Sequence, residues 1–285
     1  LRPPRVRSHL LKLPIILHNG VYFVQCHVLA VKLTKIISLF NQAGGVAKST
    51  TTQNLGYHLS IRRHRVLLID IDPQASLTTF MGLEAADLSK TIYDALVSES
   101  DEPIPIHRDL DGMDLAPANI LLANAEQELI FAELREFRLK EVLAPELDNY
   151  DFILIDCPPS LGILSQISLV ASTHVLVPIQ CQFKALKGTD SLLKTLARVQ
   201  RKLNRSLKIA GFFPTMYSAA NSLDQRTLES IHEQLSSLAR IFPPLPRATA
   251  VAEAAEYGKP LALCPNKNPA ILRIFDEIAQ AMEEI

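Results

Sequence analysis

The stretch Ile36-Ile-Ser-Leu-Phe-Asn-Gln-Ala-Gly-Gly-Val-Ala-Lys-Ser-Thr50 limits the folds open to this chain more than any other segment. A short apolar, β-prone run enters a glycine turn, passes Lys48-Ser49-Thr50 and continues as a helix-compatible segment to about Arg62. Strand, tight turn and helix in that order form a phosphate-binding loop, because the turn's N–H groups and the positive end of the helix face one anion. Lys48 is placed for β- and γ-phosphates, and the Ser49 hydroxyl for Mg²⁺. Ala43, Gly44, Gly45, Val46, Ala47 and Thr50 complete the backbone cradle. The general pattern has glycine before the lysine, and Ala47 stands there. A residue with a Cβ fits that place only at negative φ, or with strain.

Two further runs end in carboxylates. Val66-Leu-Leu-Ile-Asp-Ile-Asp-Pro-Gln-Ala-Ser76 delivers Asp70 and Asp72, and Tyr150-Asp-Phe-Ile-Leu-Ile-Asp-Cys-Pro-Pro-Ser160 delivers Asp156. Apolar strands carrying polar groups at their carboxyl ends are how an open parallel sheet builds a ligand site. Strand-like runs near 36–41, 66–71, 113–116, 152–156, 174–179 and 208–213 alternate with helix-compatible stretches at 48–62, 119–140, 162–171, 186–203, 223–239 and 270–284. That alternation predicts an α/β fold: a doubly wound, mostly parallel sheet with helices on both faces. Residues 35–285 are expected to form a single domain. Residues 1–34 are expected to be an N-terminal extension, disordered or foreign to the native protein.

Composition narrows the partners. At 285 residues, 48% hydrophobic and 21% charged, the chain has an ordinary globular make-up. A net charge of −1 leaves nucleic-acid binding to local clusters. Lys194, Arg198, Arg201 and Arg205 recur at steps of four, three and four, which lines one helical face with cations. Such a face is either a solvated helix surface or a contact for nucleic-acid phosphates. The four cysteines, at 26, 157, 181 and 264, lack metal or disulfide spacing and read as buried thiols. The last helical stretch has an apolar face, but its polar face carries Asp276, Glu277, Glu283 and Glu284. Membrane-surface helices are basic on that face, so no membrane partner is expected.

These motifs recur in order with Pro178-Ile-Gln, Ala185-Leu-Lys-Gly188, Pro214-Thr-Met-Tyr217, Pro246-Arg247, Glu253-Ala254 and Gly258-Lys-Pro260. From about Lys35 onward the chain resembles the ParA/MinD group of P-loop ATPases with a deviant Walker A motif, in its ParA-type branch that positions plasmids, chromosomes or large protein cargo. The resemblance implies a Mg²⁺-dependent ATP hydrolase whose cofactors are ATP and Mg²⁺. It implies that Asp72 orients or activates water, Asp70 supports the magnesium shell, Asp156 binds Mg²⁺ through water and Pro246 packs the adenine. It further implies a homodimer on ATP binding, nonspecific DNA as a matrix, and a cargo adaptor, ParB-like or another small stimulating protein. The expected location is cytoplasmic and nucleoid-associated.

The chain also departs from the family. A signature lysine reaches across the family's dimer from the place of Ala43, which cannot make that contact. Lys184 and Lys187, in the segment after the 174–179 strand, are either replacement cations or solvated lysines. A family asparagine near the base is Ala248 here. A nucleotide-dependent switch with negligible hydrolysis, or a membrane-associated MinD-like regulator, are the alternative readings.

Overall fold

The computed structural model describes residues 7–17 and 20–30 as backbone, and residues 33–98 and 102–285. β1 (Arg7–Leu17) and β2 (Gly20–Ala30) form an antiparallel pair, a two-stranded sheet separate from the main one among the described residues. Both strands fall within the N-terminal extension.

From Lys35 the order is β3 (Lys35–Leu39), α1 (Lys48–Ile61), β4 (Val66–Asp70), α2 (Ser76–Phe80), α3 (Ile92–Val97), β5 (His107–Leu110), β6 (Met113–Ala116), α4 (Leu122–Glu128) and α5 (Arg138–Leu143). There follow β7 (Phe152–Asp156), α6 (Ile163–Ala171), β8 (His174–Gln180), α7 (Phe183–Lys202), β9 (Lys208–Thr215), α8 (Ser222–Leu235), α9 (Thr249–Glu256) and α10 (Pro269–Glu284). The seven strands lie in the order β5-β6-β4-β7-β3-β8-β9, and every pair except β5–β6 is parallel. This is the doubly wound sheet expected from the sequence.

β4 and β7 read VLLID and FILID and are buried at every residue, as strands covered on both faces must be. Alternate side chains feed two cores. On one face Leu67, Ile69, Ile153 and Ile155 pack with Leu164 and Ile167 of α6 and Leu192 and Leu196 of α7. On the other Leu68, Leu154 and Leu176 pack with Leu55 and Leu59 of α1 and Ile271, Phe275 and Ile278 of α10. β3 has β7 on one side and β8 on the other, so the winding reverses there. The crevice at the carboxyl ends of β3, β4 and β7 is where such a sheet holds a ligand.

α10 is clamped on its polar side as well. Arg62 donates to Asp276 at 3.0 Å and to Glu283 at 2.8 Å, and His64 lies 2.6 Å from Glu283. The Arg62 hydrogen bond holds the Glu283 carboxyl down to about 2. Asp276 and Glu283 on the acidic face of the last helix thus hold it against the residues that follow α1. Among the described residues no helix is long and apolar enough to cross a membrane.

Two sequence expectations change. The helix expected over 119–140 breaks after Glu128, where Ala132 is extended and Leu134 adopts φ 51°. The basic face shortens too: α7 ends at Lys202, so Arg205 sits in the following turn and off the helical stripe. The turn forms because the Asn204 amide donates to the carbonyls of Leu169, Val170 and Ser172 at 2.7–3.1 Å, tying it to the end of α6.

Candidate nucleotide site

The loop after β3 is held from three sides. The Asn41 amide donates to Pro178 O at 2.6 Å, and its side-chain oxygen accepts from Ala43 N at 3.0 Å. Thr215, at the carboxyl end of β9, donates to Val46 O at 3.2 Å. Ala43, Gly44 and Gly45 form the exposed apex, and Val46 is buried. Lys48 is only 7% exposed, and its ammonium donates to Asn41 O at 3.2 Å and Ala43 O at 3.1 Å across the mouth of the loop. Burial lowers its pKa, while Asp156, Cys157 and Asp72 oppose that shift.

Ala47 explains the unusual motif. It has φ 63° and ψ 35°, in the left-handed region, so the loop keeps the conformation a glycine would supply and alanine carries the strain. That conformation costs an L-residue roughly 1–2 kcal/mol. Ala47→Gly is therefore expected to stabilise the fold by about 0.5–1 kcal/mol, part of the gain being lost to the freer unfolded chain. Chemical denaturation measures this, and a lower midpoint in the variant would show that the loop is not strained. Ala47 caps α1 with no side-chain hydrogen bond. The N–H groups of Lys48, Ser49 and Thr50 have no intrahelical acceptor and are available to an anion.

Asp70 and Asp156 end neighbouring strands in register, Cα opposite Cα. Their environments differ. Asp70 is fully buried; one oxygen accepts from Asp72 N at 3.1 Å, the other from Thr78 N and the Thr78 hydroxyl, both at 2.8 Å. Burial pushes its pKa up to about 7 against those donors. Asp70 thus ties α2 to the end of β4, opposite Asp156. Asp156 is 1% exposed, and among the described residues neither oxygen accepts a hydrogen bond of ordinary geometry, with the Ser49 hydroxyl as its nearest donor. Burial, then Asp70, raise its pKa well above the carboxylate range; the nearby Ser49 hydroxyl and Lys48 ease its charge only partly. A buried, unpaired carboxylate costs several kcal/mol unless a proton or cation joins it. A divalent cation held between Ser49 and Asp156 fits that orphaned group, and hard oxygen donors are what Mg²⁺ takes.

Asp72 lies just past β4 and is 8% exposed. One of its oxygens accepts from Gln74 N at 3.0 Å, which also caps the turn through Pro73. On the far side of the crevice Pro246 bridges to Tyr217, and Arg247 donates to Met216 O at 2.9 Å. Lys184 and Lys187 fall in the first turns of α7, just past the end of β8; their side chains lie outside the described residues. Lys194, Arg198 and Arg201 are exposed along α7, and Arg205 is exposed beyond it. The structure gathers Ala43 to Thr50, Asp70, Asp72 and Asp156 at one end of the sheet. The basic residues lie away from it on α7 and its terminal turn.

Sequence reasoning missed Asn41, Thr78 and Thr215. Nothing in spacing marks them, since Asn41 acts through the loop, Thr215 from another strand and Thr78 from α2.

The chain matches the AAA domain family over residues 34–209. It is 42% identical to the sporulation initiation inhibitor protein Soj of Bacillus subtilis over 80% of this chain and 90% of that protein. It is 37% identical to the chromosome partitioning protein ParA of Caulobacter vibrioides over 86% of this chain and 93% of the relative. The crystal structure of Mycobacterium smegmatis cobyrinic acid a,c-diamide synthase with bound ADP and magnesium matches at TM-score 0.72 and 36% identity, covering 79% of this chain and 92% of that one. With a strained lysine loop, an orphaned Asp156 and these relatives in hand, the chain belongs to the ParA/MinD family of P-loop ATPases.

Proposed function

We propose that this protein is a Mg²⁺-dependent ATPase that dimerises on ATP, binds DNA without sequence preference and, with an adaptor protein, positions a plasmid, chromosome or large protein cargo. The observation that carries the reading is the buried, unpaired Asp156 carboxylate beside Ser49 and Lys48. It is a site built for a cation that arrives with a phosphate. Lys48 exchanges its two loop carbonyls for phosphate oxygens, and the free N–H groups of α1 bind the same anion. Ser49 and Asp156 would hold Mg²⁺, which when bound would supply charge neutralisation at the phosphates. Asp72 orients the attacking water for in-line displacement, and Asp70 acts behind it by fixing α2. Pro246 flanks the base.

The cation missing at Ala43 is assigned to Lys184 or Lys187, reaching the partner protomer's phosphates. Alanine at the responsible position is expected to leave monomer nucleotide binding within about threefold, yet weaken ATP-dependent dimerisation by on the order of 2–5 kcal/mol. Sedimentation in a hydrolysis-deficient background reads this; no change in either variant would leave the switch without turnover as the better account.

Lys194, Arg198, Arg201 and Arg205 are proposed to meet DNA phosphates. Co-sedimentation of the full chain with mixed-sequence duplexes tests the function as a whole. With ATP and Mg²⁺ the protein is expected on DNA, and with ADP off it. Neutralising Arg198, Arg201 and Arg205 together is expected to weaken all sequences alike and lower the salt slope by about one for each phosphate no longer neutralised. Sequence-selective binding, or an unchanged slope, would contradict the basic face.

A further inference from the structure

Two arms leave the nucleotide site on opposite sides and meet behind it. The first carries Asp72: it runs through the turn at Gln74 into α2, which Thr78 pins to Asp70. The second starts at Pro246, continues through α9 and ends at Gly258. α2 packs against α9. Their ends touch at two glycines in left-handed backbone, Gly82 at φ 79° and Gly258 at φ 63°. A Cβ on Gly258 would stand 3.0 Å from Gly82 Cα and 3.3 Å from Gly82 N, so no other residue fits without moving one arm.

Both arms are also tied to α1, at adjacent buried residues. Gln53 donates to Phe80 O, at the end of α2. Asn54 donates to Thr50 O at 2.8 Å and accepts from Leu261 N at 2.9 Å, just beyond Gly258. The loop motif, the Asp72 arm and the base-side arm therefore close a ring, with bare backbone contact between the two arms.

We propose that the Gly82–Gly258 contact is a joint through which the base-side arm sets the position of the arm carrying Asp72. The inference rests on the proposed roles of Pro246 and Asp72. A phosphate chain without a base reaches Lys48 and the α1 N-terminus but leaves the base-side arm unengaged. The Asp72 arm then stays unset, and Gly82 and Gly258 act as positioning residues that couple base recognition to hydrolysis.

The test compares ATP with inorganic tripolyphosphate, both with Mg²⁺ and at matched occupancy, by hydrogen exchange at amides 74–82 of the full chain. ATP is expected to slow exchange there at least about threefold and tripolyphosphate to leave it unchanged. Gly258→Ala is expected to bind ATP within about threefold of the parent yet lose that protection. Gln53→Ala, which cuts the α1 tether and leaves the joint alone, is expected to retain it. If Gly258→Ala does not fold, Asn54→Ala frees the base-side arm at Leu261 and is expected to lose the protection in its place. Equal protection by tripolyphosphate overturns the joint, as does protection that survives Gly258→Ala, or Asn54→Ala in its place. No ATP binding by the parent overturns the proposed function and the joint together; binding without a response at 74–82 overturns the joint alone.

Discussion

Lys48→Ala is expected to lower ATP affinity at least about a hundredfold, the largest effect expected on nucleotide binding. The lysine is a ground-state ligand: it is buried at the loop mouth, and its only bonds among the described residues are to Asn41 O and Ala43 O, both easily given up to phosphate. A charged hydrogen bond of this kind contributes about 1.5–3 kcal/mol, and more where water is excluded. Removing it also strips Asp156 and Asp72 of the cation that offsets their charge. Those carboxylates then repel the incoming triphosphate. Equilibrium binding of a fluorescent ATP analogue checks this. Affinity within a few-fold of the parent would mean that the phosphates bind elsewhere.

The second large effect separates two roles of one side chain. Asp72→Ala is expected to keep ATP affinity within about threefold and to lower the single-turnover hydrolysis rate by about 10²–10⁴, the range for a group that handles the proton or water. Asp72 also caps its own turn through Gln74 N, so alanine alone is ambiguous. Asp72→Asn resolves this, because the amide oxygen still accepts from Gln74 and only the charge is lost. Hydrolysis as slow in Asp72→Asn as in Asp72→Ala identifies the carboxylate as the acting group. Full activity in Asp72→Asn would reduce Asp72 to a turn cap.

Much of this was legible in the residues. The strands at 66–70 and 152–156 announce themselves because a parallel sheet buried on both faces needs unbroken apolar runs, and each run stops at a carboxylate. Lys48 and Ser49 follow from the glycine turn and the helix after it. Ala47 was legible as a departure, but only the backbone shows its resolution: the left-handed angle is kept and the strain accepted. The division of labour between Asp70 and Asp156 was not legible. Both end buried strands in register, and what separates them is Thr78, eight residues beyond Asp70 and donating twice to it. Arg205 illustrates the reverse limit, since a spacing of four fits a helical face only while the helix lasts, and Asn204 ends this one.

The central claim, that a buried unpaired Asp156 beside Ser49 and Lys48 is a site for Mg²⁺ carried in with ATP, is tested most directly by calorimetric titration of the full chain with ATP, once with saturating Mg²⁺ and once in chelator. The account predicts saturable one-to-one binding per chain that Mg²⁺ strengthens at least about tenfold, or about 1.4 kcal/mol. Binding of equal strength in the two conditions, or none with Mg²⁺ present, would contradict it.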